Sequence, residues 1–292
     1  LHIYDLARNG AQKLYATGRI WSEGAPWRGP VFEFVMFGVK QAWACLYGGT
    51  MLLLLILTML FWPTQDVWLS RFDFLFLAAI ALQVLLVALK LERLEEVKVI
   101  AIFHIVGTIM EIFKTHVGSW SYPGEAFFKI GGVPLFSGFM YACVGSYLAR
   151  ISRLMDLRFA PYPPMWMTWL LAIGAYVNFF THHYGPDIRV GLFLFSAVIF
   201  WRSRVYFTPD QTTRWMPLLV GFLLVSLFIW LAENIGTFTN TWIYPHQSEG
   251  WHMVPLSKMG AWYLLMMLSF VLVSTVHKPR PPDDLATKTP DP

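Results

Sequence analysis

Long apolar stretches separated by short polar, proline-bearing links set the pattern of this chain. Eight runs of roughly 17–22 residues, the length that spans a bilayer as a helix, are read at about 41–62, 74–90, 98–114, 134–150, 164–181, 188–206, 215–234 and 255–276. The sixth has the shortest apolar core. Ahead of them, Leu1, Tyr4, Leu6, Leu14, Tyr15, Ile20 and Trp21 alternate with Asp5, Arg8, Lys13 and Arg19. That mixture predicts a helix lying in the membrane surface, with residues 32–40 as a second interfacial piece. Residues 279–292 are polar and Pro-rich and are expected to be disordered. The expected fold is an all-α polytopic membrane protein.

The runs are not independent. Residues 111–123 read E-I-F-K-T-H-V-G-S-W-S-Y-P, and residues 233–245 read E-N-I-G-T-F-T-N-T-W-I-Y-P. Glu, Thr, Trp, Tyr and Pro recur at a spacing of 122, and a V-P-L follows each copy at a spacing of 121. Repetition over that length signals a duplicated unit. Shifted by 122, the first run falls on the fifth and the fourth on the eighth. The second reaches the sixth only with a slip of several residues. The expected organisation is an interfacial segment 1–40, two four-helix halves at 41–158 and 159–278, and the tail. Four is even, so both halves enter from one side and are related by an axis along the membrane normal. Glu111 and Glu233 then lie at one depth and face each other across the join.

Composition removes the soluble alternative: 56% of the 292 residues are hydrophobic and 14% charged, against about 25% charged in soluble domains. Of the 22 Lys and Arg, 17 fall on the side of the N-terminus, leaving Arg71, Lys114, Lys129, Arg189 and Lys258 opposite. Cytoplasmic loops carry the excess, so both termini are expected in the cytoplasm of a bacterial inner-membrane protein, with both motifs at the outer face. The basic balance is thereby explained, and no nucleic-acid partner is expected. No phosphate-binding G-x-x-x-x-G-K-[ST], dinucleotide-binding G-x-G-x-x-G or hydrolase G-x-S-x-G occurs. Cys45 and Cys143 lie in apolar runs and read as small fillers. The first thirty residues hold no apolar core of signal-peptide length, so no cleaved signal is expected.

Candidate chemistry centres on the motifs. Helical spacing sets His104, Thr108, Glu111 and Thr115 on one stripe, and Ser226, Trp230, Glu233 and Thr237 on another. A carboxyl at membrane depth is expensive, faces the bundle interior, and is suited to holding and donating a proton. Trp120, Tyr122, Trp242 and Tyr244 either form an interfacial belt or wall a pocket able to stabilise a cation. His104, Thr115, His116, Trp230, Thr237 and Asn240 are expected to line the rest of that pocket. His116, His182, His183, His246 and His252 fall on the same side, with Asp187 in T-H-H-Y-G-P-D, which makes a metal site conceivable. Their spacings match no metal motif, and no cofactor is expected.

The run H-I-V-G-T-I-M-E-I-F-K-T-H-V-G-S-W-S-Y-P-G-E (residues 104–125), with its W-I-Y-P partner, resembles an uncharacterised family of bacterial integral membrane proteins, the YoaT-like family of unknown function. That resemblance implies no activity. More distantly, Glu followed by a Trp/Tyr turn and V-P-L is similar to membrane carotenoid hydratases and lycopene cyclases, which implies protonation of a polyene by Glu111 and Glu233. The Pro-Glu-Glu signature of the cyclases is absent. The leading expectation is an enzyme acting on an isoprenoid or related membrane lipid, by acid-initiated cyclisation or hydration. A proton-coupled small-molecule transporter is the alternative, and a metal site or a non-catalytic scaffold comes after it.

Overall fold

A computed structural model describes residues 2–63 and 67–283. The expected disorder beyond residue 283, and the placement of Leu1, Tyr4, Asp5, Leu6 and Arg8 side chains, lie outside the described residues. The chain order is α1 (His2–Glu23), α2 (Arg28–Ala44), α3 (Leu46–Phe61), α4 (Arg71–Ala88), α5 (Leu94–His116), β1 (Lys129–Ile130), β2 (Val133–Pro134), α6 (Phe136–Leu154) and β3 (Arg158–Ala160). It continues with α7 (Met165–Thr181), α8 (Arg189–Phe200), β4 (Arg204–Phe207), β5 (Arg214–Pro217), α9 (Leu218–Phe238) and α10 (Met259–Val276). Among the described residues, three helical units are long and apolar enough to cross a bilayer: α4, α9, and α10 with the turn ahead of it (Leu256–Val276). Together, α2 and α3 form a fourth candidate, bent by 66°.

The expected first span is therefore not one straight rod. Its helix breaks at Cys45, beside Gly48 and Gly49, the kind of small-residue pair at which helices kink. Gly48 packs onto Cys143 of α6. The all-α expectation also needs correction. Strands β3, β4 and β5 form an antiparallel sheet in that order, and β1 and β2 form a two-residue ladder. The expected sixth run stops being helical at Phe200, and the seventh becomes helical only at Leu218. The strands are too short for an alternating pattern to stand out beside apolar helices. Residues expected in the disordered tail are partly docked: the Arg280 carbonyl accepts from Phe159 N–H at 2.8 Å, and Asp283 pairs with Arg158 at 3.3 Å.

Contacts between turns sort the helix ends into two groups. At one end, Arg71 at the start of α4 donates to the Thr239 carbonyl past α9 (2.9 Å), and Lys114 near the end of α5 meets His183 past α7 (2.7 Å). At the other end, the sheet joins the segments after α6, after α8 and before α9. There Glu92, between α4 and α5, holds Arg150 of α6 at 2.7 Å with both side chains fully buried. Ser146 and Gln83 also donate to Glu92, giving the buried carboxylate several donors. The core lies along α6 and α10, which bury long faces against α5, α7 and α9. On the sheet side, α1 is tied down by Tyr15 and Arg19 donating to Asp210 (2.6 and 2.9 Å). Leu14 and Ile20 on α1 remain exposed.

Candidate functional site

Both motif helices close with the same hydrogen bonds. Ser119 N–H donates to the Lys114 carbonyl (2.9 Å) and Gly118 N–H to Thr115 (3.1 Å). At the matching positions, Thr241 N–H donates to Gly236 (3.0 Å) and Asn240 N–H to Thr237 (3.0 Å). This is a Schellman cap, which requires a residue with positive φ. Gly118 (φ 70°) and Asn240 (φ 50°) supply it. Asn240 thus acts through turn geometry, and its side chain is exposed.

The cap turns the chain back so that the residues nine and eleven positions after each Glu reach its carboxyl group. Trp120 Nε1 and Tyr122 OH donate to Glu111 Oε2 at 2.7 and 2.6 Å. Trp242 Nε1 and Tyr244 OH donate to Glu233 Oε1 at 2.9 and 2.6 Å. Both carboxyls are buried, at 5% and 6% exposure. Between the indole and the phenol of each motif stands one residue, and these two residues pair with each other. Ser121 N–H donates to the Ile243 carbonyl (3.0 Å), and Ile243 N–H donates back to Ser121 (2.9 Å). Residues at matching positions of the two motifs thus exchange bonds with each other, and the Trp120 ring meets the Tyr244 ring edge-on at 6.0 Å.

The two sites differ in one respect. Tyr141 of α6 donates to Glu111 Oε1 at 2.8 Å, so both oxygens of Glu111 accept. Within the second V-P-L register the matching residue is Trp262, whose buried Nε1 has no partner among the described residues. Among the described residues, no side chain donates to Glu233 Oε2. Sequence reasoning missed Tyr141 and Trp262, although the 121-residue spacing of the V-P-L pair could have matched them. It also treated Arg71 only as an outer charge. Arg71 in fact binds the Thr239 carbonyl, Thr241, Thr58 and the Leu55 carbonyl, joining α3 and α4 to the second cap.

Glu111, Glu233, Trp120, Tyr122, Trp242 and Tyr244 all line one cavity of about 760 Å³, within the ~300–1,000 Å³ typical of small-molecule sites. Its wall follows α6 from Ser137 to Met155, about 27 Å at ~1.5 Å per residue. Away from the two acids the lining is mainly apolar, with Gln41, Ser152, Ser274 and His277 among its polar members toward the sheet end. It includes Phe34, Leu224 and Phe228, which are themselves exposed on the flank of the protein.

Other expected site residues lie elsewhere. Trp230 donates to the Val254 carbonyl at 3.1 Å and holds the second V-P-L loop. Thr237 accepts from Trp251 at 3.1 Å. His104 packs against Phe139 with ring centroids 4.3 Å apart, its Nδ1 and Thr115 Oγ1 have no partner among the described residues, and His116 is exposed. None of these five lines the cavity. Among the described residues no three His, Cys, Asp or Glu side chains converge on a metal-sized point. His246 stacks on Tyr244, His252 is exposed, and the Lys114 amine sits 2.7 and 3.4 Å from His183 and His182, where a ligated cation would have to lie.

Fold and site together define a mostly helical protein with membrane-spanning capacity, in which a duplicated Glu–Trp–Tyr cap closes one end of an apolar groove. The chain belongs to a protein family of unknown function, DUF817, whose sequence model matches residues 33–270. It is 40% identical over 246 residues to the uncharacterized protein YoaT of Bacillus subtilis (strain 168), covering 84% of this chain and 92% of that one. No solved structure matches it. The resemblance to carotenoid hydratases and lycopene cyclases finds no support in these comparisons.

Proposed function

We propose that the protein crosses a bacterial cytoplasmic membrane eight times, as two parallel four-helix halves, with both termini inside. The segregation of helix ends into two groups and the reciprocal Ser121–Ile243 pairing support this layout, and the Lys/Arg asymmetry supports its orientation. Within it, the protein is an enzyme acting on an isoprenoid or similar unsaturated lipid, which enters the groove sideways from the bilayer. The observation carrying this reading is that two buried carboxyls end a long apolar groove whose flank opens at exposed Phe34, Leu224 and Phe228. A carrier for polar solutes would need a polar path, which this lining does not offer.

Unequal hydrogen bonding divides the roles of the two acids. Glu111, which accepts from three donors and keeps one lone pair of Oε1 free to act as base, is the carboxylate. Glu233 carries its proton on Oε2. The Glu233 O–H proton adds to one carbon of a double bond, whose π pair forms the new C–H bond, and the O–H pair stays on Glu233. The cation left on the neighbouring carbon is shielded by the faces of Trp120, Tyr122, Trp242 and Tyr244. Glu111 then takes an adjacent C–H proton, and that bond's pair re-forms a double bond. The net reaction is isomerisation, or ring closure when a second double bond of the same chain attacks first. Proton transfer from Glu111 back to Glu233, through exchange with water, resets the pair, and neither outcome needs a further co-reactant.

The test uses the purified protein with total bacterial lipid extract in D2O. Mass spectrometry should find lipids carrying carbon-bound deuterium with the native protein, and none with Glu233→Gln or Glu111→Gln. Labelling no higher than with heat-denatured protein would refute the proposal.

A further inference from the structure

Behind the aromatic wall lies a second, smaller cavity of about 120 Å³, roughly four times the ~30 Å³ share of one water molecule in the liquid. Trp120, Tyr141, Tyr244 and Trp262 line both cavities, so the partition is one side chain thick. The far side of this partition differs in character, because Lys114, Arg189, Lys258 and His182 converge there. Lys114, Arg189 and Lys258 are three of the five Lys and Arg residues on the sparsely charged side of the molecule. The other two are already engaged: Arg71 holds the second cap and Lys129 pairs with Glu125.

Among the described residues, only Arg189 of the three has a carboxylate partner, Asp187. Lys114 is 6% exposed, and among the described residues neither it nor Lys258 forms an ion pair. The Lys114 amine lies over the Phe179 ring at 4.4 Å and the Lys258 amine over Tyr244 at 4.5 Å. Ring faces and an imidazole moderate a positive charge but do not neutralise it. Lys114 is buried and Lys258 half-buried, and two neighbouring amines with no carboxylate at ion-pair distance among the described residues are costly unless an anion completes the site. The unpartnered N–H of Trp262 adds a donor on the same wall. Of the four shared rings, Trp262 is the one that no hydrogen bond holds in place.

We infer that this cavity binds a phosphate-type anion between Lys114, Lys258 and Arg189. The anion is either the headgroup of an amphiphile whose apolar chain occupies the groove, or a free phosphate ion. The first source rests on the proposed function, since it names the class of lipid the groove would take.

Binding is tested on the full chain in a neutral detergent, by thermal midpoint and tryptophan fluorescence, with three probes: dioctanoyl phosphatidic acid, dioctanoylglycerol and inorganic phosphate. Phosphatidic acid should raise the midpoint while the neutral glyceride with the same chains does not. Lys114→Gln and Lys258→Gln should each weaken binding at least ~10-fold, the scale of one lost charged hydrogen bond. An equal, lysine-dependent shift with inorganic phosphate supports the site and assigns it to the free ion. No shift with either anion, or a shift unchanged in both variants, overturns the inference. Should Lys114→Gln fail to fold, the half-buried Lys258→Gln decides. Glu233→Gln should bind the probe normally while failing the deuterium assay, so loss of the anion site and loss of the acid chemistry register separately.

Discussion

Replacing each acid by its amide should affect the two halves of the protein unequally. Glu111 accepts three hydrogen bonds on two oxygens. A glutamine there keeps one acceptor, best placed toward Trp120 and Tyr122, and turns an N–H toward Tyr141. A hydrogen bond to a charged group contributes about 1.5–3 kcal/mol and a neutral one about 0.5–1.5, so two weakened bonds cost about 2 kcal/mol together. The stranded Tyr141 proton adds about 1–3 kcal/mol, and Glu111→Gln should lose about 3–5 kcal/mol. Glu233 accepts both its bonds on Oε1. If Oε2 carries the proton, the amide substitutes for a neutral acid of the same shape and both donors keep their acceptor. Glu233→Gln should then cost less than about 1 kcal/mol, whereas an ionised Glu233 would lose about 2. Equilibrium unfolding in mixed micelles with increasing SDS measures both variants on one scale. Equal losses, or a larger loss for Glu233→Gln, would refute the division of roles between the acids.

Other substitutions probe the frame around the site. A Cβ on Gly236 would lie inside the Trp242 ring, so Gly236→Ala should cost about 1–3 kcal/mol and red-shift the tryptophan emission. Gly49→Ala, on α3 with open space around it, should be neutral or stabilising in the same unfolding assay. Gly118→Ala should lose about 1–2 kcal/mol at its left-handed position, while Asn240→Gly should leave the unfolding midpoint unchanged or slightly higher. Hydrogen bonding and charge from Arg189 hold the Asp187 carboxyl well below the usual carboxylate range. A folded-state value below the unfolded one means stability present above about pH 4 and lost as the pH falls through and below that point. The pair is partly exposed, so Asp187→Asn should remove no more than about 1 kcal/mol at neutral pH and flatten the acid limb of stability against pH.

What could be read from the chain alone was whatever depends on short separations. The offsets of nine and eleven residues from each Glu to its Trp and Tyr lie within one helix end and one turn. A single cap geometry therefore brings them together wherever the helix sits. Gly118 and Asn240 belong to the same local logic, because a left-handed residue ends a helix without help from other elements. The apolar runs located the helices for a similar reason, since each buries its own surface. Local patterning also misled in places: Trp230 and Thr237 share a stripe with Glu233, yet hydrogen bonds to the next loop draw both away from the groove.

Tertiary packing decided the rest. Tyr141 reaches Glu111 because α6 lies against α5, and Arg71 reaches the second cap from 168 residues away. Lys114, Arg189 and Lys258 come from three different helix ends, and nothing in their spacing announces that they share a cavity. The sheet beneath the bundle joins the link after α6 to the link between α8 and α9, which no single segment encodes. The duplication predicts two equivalent acids. It is the different residues packed beside them, a phenol with Glu111 and an unpartnered indole at the matching position of the second half, that make the two acids unequal.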